Sequence, residues 1–65
     1  MSMSVETLTQ SINIALTDEY LKDIERGKAD VYSQDGSEVR VAEWDDGLLE
    51  KPSRRFRIKI EEVEV

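Results

Sequence analysis

The 65-residue chain carries fifteen acids against nine bases, a formal net charge of −6, with neither cysteine nor histidine. Such a length allows one domain. Disulfides and thiolate metal sites are excluded, and the commonest metal ligand and general base is missing. A core this small supplies at most roughly 3–5 kcal/mol of net stability, so a homodimer is the expected staple.

The charge is divided along the chain. Residues 1–50 hold twelve acids and four bases, and residues 51–65 hold five bases and three acids. Nucleic acid is therefore repelled by most of the surface, and any such contact must come from a local basic element. A basic protein partner suits the acidic part. No apolar run reaches the length of a membrane span. The Met1-Ser2-Met3-Ser4 opening has neither a basic nor an apolar leader region, and together with the lack of cysteine this leads to a cytoplasmic expectation.

Residues 1–10 are small and polar and read as a flexible N-terminal arm. Ser11-Ile12-Asn13-Ile14-Ala15-Leu16 alternates, with Ile12, Ile14 and Leu16 on one side, which predicts a strand. Thr17 has the chemistry of a helix N-cap, with Asp18 and Glu19 in a first turn. Tyr20, Leu21 and Ile24 share a helical face and Gly27 can end it, so the spacing predicts a helix over 18–26. From Ala29 to Trp44 the pattern is a hairpin about Asp35-Gly36, a good type I′ turn. That turn would set Tyr32 opposite Val39 and Asp30 opposite Val41. Asp45-Asp46-Gly47 marks a second turn, and Leu48-Leu49-Glu50-Lys51 forms a connector stopped by Pro52.

From Arg54 to Val65 a last strand is expected. Phe56, Ile58 and Ile60 lie on its apolar side, and Arg55, Arg57, Lys59 and Glu61 on the other. The apolar phase then switches to Val63 and Val65, which implies a bulge or an exit from the sheet. The expected architecture is a single α+β domain over residues 11–65. Its element order is β-α-β-β-β, with one short helix packed on an antiparallel sheet.

No catalytic constellation stands out. A serine or threonine nucleophile needs an activating base, and no spacing singles out a lysine or carboxylate for that work. Paired acids such as Asp45-Asp46 and Glu61-Glu62 are expected at this composition and are ordinarily solvated. The Asp45-Asp46-Gly47 segment lacks the alternating ligands of a calcium loop. The three glycines sit where turns or caps need them, leaving no phosphate loop. The chain is expected to be non-enzymatic, without cofactor or metal.

Binding candidates are easier to name. Arg55, Arg57 and Lys59 form a basic ridge on one face of the last strand. The ridge could contact an acidic protein or phosphates, or its bases could pair with Glu38, Glu43 or other acids on neighbouring strands. Phe56 is expected in the core. Trp44, the single tryptophan, is either a core cap or an interface anchor.

The stretch Ser11 to Tyr20 followed by Ile24-Glu25 resembles the opening of ribbon-helix-helix repressors, including ParD-like antitoxins. Tyr32-Ser33 and Ser37-Glu38-Val39 loosely resemble the stretch that opens that family's second helix. The resemblance implies a dimer that reads operator DNA with Ser11, Asn13 and Ala15, and binds a toxin through its C-terminal tail. The alternation of Val39-Arg40-Val41, and Asp46 and Gly47 where that helix should be apolar, depart from the family pattern.

The leading expectation is a small acidic regulatory protein that binds another protein, antitoxin-like or of the phage-encoded inhibitor kind. The alternatives are a dimeric ribbon-type DNA-binding repressor, and a nucleic-acid-binding accessory module using the basic C-terminal strand.

Overall fold

A computed structural model describes residues 3–45 and 51–64. Two helices precede three strands: α1 (Val5–Glu19), α2 (Leu21–Glu25), β1 (Ala29–Gln34), β2 (Glu38–Glu43) and β3 (Arg54–Lys59). The strands form an antiparallel sheet in the order β1-β2-β3. The α+β class, with a helix packed on an antiparallel sheet, is as expected. The first element is not.

Residues 11–16, expected as a strand, lie in the middle of α1. The helix starts earlier, at a cap within the stretch expected as a flexible arm. The Ser4 hydroxyl accepts a bond from the Thr7 amide at 3.1 Å, satisfying one of the orphan donors of the first turn. Val5, Thr9, Ile12, Asn13, Leu16, Thr17 and Tyr20 are buried or half-buried, a spacing of three and four that marks one helical face. Thr17 is therefore an interior helical residue and not a cap. Its hydroxyl donates back to the Asn13 carbonyl at 2.7 Å, as that of Thr9 does to the Val5 carbonyl.

The expected helix over 18–26 is realised as its second half, α2, after a break at Tyr20. Its end matches the expectation. Gly27 takes φ +72°, its amide donates to the Ile24 carbonyl at 3.0 Å, and that of Lys28 donates to the Asp23 carbonyl at 2.8 Å. The two bonds form a Schellman closure.

The hairpin is present, with Asp35 at φ 52° and Gly36 at φ 81°, both left-handed as the Asp-Gly pair suggests. The register is one residue away from the expected one. Tyr32 faces Arg40, Ser33 faces Val39 and Asp30 faces Ala42. Ser37 is an extra residue in the connection, and its hydroxyl donates to the Asp35 carboxylate at 2.9 Å. The shift moves Val39 opposite Ser33 and Val41 opposite Val31.

Opposed residues share a face, so the pairing sorts the sheet. One face carries the rows Ala29–Glu43–Arg54, Val31–Val41–Phe56 and Ser33–Val39–Ile58. The helices cover this face over β1 and β2, yet no helical Cα lies within 8 Å of a β3 Cα. Among the described residues Ala29, Val39, Val41 and Ala42 are the buried apolar ones, with Val39 and Thr9 the largest side chains fully enclosed. The turn at Asp45-Asp46-Gly47 and the connector over 48–51 fall largely outside the described residues. Among those residues, no helix is long and apolar enough to cross a membrane.

Candidate strand-binding edge and open sheet face

β3 is exposed at every position. Because the helices stop short of it, Phe56 and Ile58 are 44% and 37% exposed on the helix-bearing side. Phe56 is thus not the core residue expected of it. The Arg54 guanidinium lies over its ring, 5.2 Å from the centroid, a geometry that favours a cation on an aromatic face.

The opposite, open face carries the rows Asp30–Ala42–Arg55, Tyr32–Arg40–Arg57 and Gln34–Glu38–Lys59. The expected ridge of Arg55, Arg57 and Lys59 is present here, and the sheet adds Arg40 and Tyr32 to it. Sequence reasoning missed these two because the expected hairpin register placed them differently. A shallow depression of about 220 Å³ is lined by Tyr32, Arg40, Val41, Arg55, Phe56 and Arg57.

The expected pairing of bases with acids is partly realised. Glu38, nearly buried, accepts from Arg40 Nε at 2.9 Å and lies 3.4 Å from Arg57 Nε. That carboxylate raises the Arg40 pKa above its ordinary value, with a smaller contribution from the Tyr32 hydroxyl. Lys59 Nζ lies 3.8 Å from Glu61, two residues on. Arg55 has no ion pair among the described residues.

A second cluster ties the helices to the sheet. The Tyr20 hydroxyl donates to Glu43 Oε2 at 2.7 Å, and Arg54 donates to Glu43 Oε1 through Nε at 2.9 Å and through Nη2 at 2.7 Å. The Tyr20 hydrogen bond and then that of Arg54 hold the Glu43 carboxyl below its ordinary pKa, while the same bond to Glu43 raises the Tyr20 phenol.

The remaining expected site residues do not come together. Trp44 is half-buried one residue beyond β2, its amide donating to the Lys28 carbonyl at 2.9 Å. It sits at the end where β3 begins, away from Lys59. Ser11 and Ala15, four residues apart, share an exposed side of α1, and Asn13 lies on the sheet-facing side, since alternate residues on a helix do not face one way. Asn13 is half-buried, and its amide donates to the Ser33 hydroxyl at 2.8 Å. It is a link between helix and sheet, and the extended run expected to present it is absent.

The backbone of β3 has a definite polarity. Ile60 donates its amide to the Ser37 carbonyl at 2.8 Å, which makes 37 and 60 a bonded rung. Bonded and non-bonded rungs alternate in an antiparallel pair. Phe56 and Ile58 therefore bond toward β2, while the amides and carbonyls of Arg55, Arg57 and Lys59 point out from the sheet edge. The same three residues thus supply the outward backbone bonds and the bases on the open face.

No family model, no curated protein and no solved structure matches this chain.

Proposed function

We propose that the chain is a non-enzymatic regulatory protein that binds another protein by taking an extended segment of it along the outer edge of β3. The observation that carries this reading is β3 itself: a six-residue strand exposed throughout, with one paired side and, among the described residues, one open side. Strand addition uses backbone bonds for affinity and alternate side chains for specificity. Here the alternation is sharp. Arg55, Arg57 and Lys59 stand on one face, and Phe56 and Ile58 on the other. The segment that fits is one in which acids alternate with apolar residues. Bases on an edge strand also discourage pairing with another basic strand, so the edge is selective.

The open face, with Tyr32 among arginines, also has features of a nucleic-acid platform. The buried carboxylate of Glu38 between Arg40 and Arg57 counts against that use, because a phosphate placed there would meet a fixed like charge. The two readings separate in one titration of isotope-labelled protein. An alternating Val-Glu peptide is expected to shift the amides of Arg55, Arg57 and Lys59 and to leave Asp30–Gln34 of β1 unmoved. A single-stranded oligonucleotide that moves Tyr32 and Arg40, with a silent peptide, would replace protein binding by nucleic-acid binding.

A further inference from the structure

Resting on the strand-acceptor reading, we infer that the edge of β3 is occupied by the stretch Ile60–Glu64 of a second copy, in a two-fold dimer with a single six-stranded sheet. Ile60-Glu61-Glu62-Val63-Glu64 has the chemistry that the edge selects, apolar residues among acids. From Glu61 to Glu64 the chain has no strand partner among the described residues, and all four are exposed. In the structure the stretch does not turn back along its own strand. Its contact with β3 is the local one between Lys59 and Glu61.

Symmetry narrows the register. In a two-fold antiparallel pair one residue faces its own copy. The outward backbone groups belong to Arg55, Arg57 and Lys59, so a bonded rung on the axis is one of these; an axis on a non-bonded rung opposes Arg57 to Lys59 when it falls at Ile58, and in regular pairing opposes Ile58 to Glu62 and Phe56 to Glu64 when it falls at Ile60. An axis at Arg57 sets Arg57 against Arg57 and Arg55 against Lys59, stacking like charges on one face. An axis at Lys59 sets Ile58 against Ile60 and Arg57 against Glu61. Regular pairing beyond that point would place Phe56 against Glu62. One extra residue at Glu61-Glu62 corrects it: both acids then face Arg57, Phe56 meets Val63 and Arg55 meets Glu64. The switch of apolar phase after Ile60 calls for a bulge at this place. The one like pair left is Lys59 with its copy, and each of these has Glu61 beside it. The dimer also covers Phe56 and Ile58, which the helices leave open.

Two charge-reversed chains test the arrangement. Arg55→Glu with Arg57→Glu makes both the edge and the tail acidic, and Glu62→Arg with Glu64→Arg makes both basic. All four positions are exposed. The natural chain is expected to sediment as a dimer, and each variant as a monomer, its self-association weakened at least about tenfold. An equimolar mixture of the two variants is expected to restore the dimer, because each edge then meets a tail of opposite sign. A natural chain that stays monomeric, variants that remain dimeric, or a mixture that fails to pair would each overturn the inference. The edge is tested separately on the monomeric Glu62→Arg/Glu64→Arg chain, whose β3 keeps its bases. Shifts of the 55, 57 and 59 amides with the Val-Glu peptide would keep the acceptor reading even if the dimer fails. Unmoved amides there would remove both.

Discussion

Glu43 shows how one side chain couples the layers. It sits on the helix-bearing face at the end of β2, accepts from Tyr20 at the break between the helices, and is closed from the other side by Arg54 of β3. Its carboxyl is depressed in the folded state, first by Tyr20 and then by Arg54. The stability it contributes is therefore present above the ordinary carboxylate value of 4.5 and is lost as pH falls through the folded value. Tyr20 has the opposite sign. Its raised phenol contributes below about pH 10 and loses that contribution as pH rises through the folded value. Urea unfolding from neutral pH to about pH 3 checks the acid limb. Tyr20→Phe is expected to cost about 1 kcal/mol at neutral pH and to flatten the fall below 4.5. An unchanged acid limb in the variant would mean that the carboxyl is held by Arg54 without help. Asn13 belongs to the same scale. Losing its bond to Ser33 through Asn13→Ala is expected to cost about 1 kcal/mol by the same measurement, the effect of a packing link.

At the scale of elements, legibility followed the strength of the local signal. Gly27 was readable as a helix end because a left-handed closing residue is a narrow requirement that glycine meets. Gly27→Ala forces a Cβ into φ +72° and is expected to cost about 1–2 kcal/mol. For a domain of this size that is a fall in Tm of roughly 4–8 °C per kcal/mol, read by circular dichroism. The first helix was not readable in the same way. Ser11–Leu16 alternates over six residues and is rich in isoleucine, a local pattern that favours a strand. The helical period appears only when Val5, Leu8, Thr9, Ile12 and Leu16 are taken together, and Thr9 and Asn13, two of the residues that face the sheet, are polar. Tertiary contact decided between the patterns. The hairpin was readable as a hairpin, but not its register. Asp35-Gly36 announces the turn, whereas the extra Ser37 follows from how Val39 and Val41 must align beneath the helices. The basic ridge on β3 was plain from its alternation. Its extension to Arg40 and Tyr32 depended on that register.

For the whole molecule the decisive quantity is how little apolar bulk is enclosed. Among the described residues the buried apolar ones are two valines and two alanines, while Leu8, Ile14, Leu21, Phe56 and Ile58 stay substantially exposed. Their full burial would be worth roughly 1.5–3 kcal/mol per large side chain, comparable to the entire margin of at most roughly 3–5 kcal/mol expected for a domain of this size. Association that covers Phe56 and Ile58 therefore has a large effect relative to the folding of one chain. Folding and pairing then become linked, and stability rises with protein concentration by mass action. The natural chain is expected to melt several degrees higher when its concentration is raised about 100-fold. The Arg55→Glu/Arg57→Glu chain, held apart by like charge, is expected to melt lower and at one temperature throughout. Calorimetry of the two proteins over the same concentration series reads the difference. If the natural chain also melted at a constant temperature, its small core would have to be sufficient by itself, and the open apolar side of β3 would contribute nothing to keeping the chain folded.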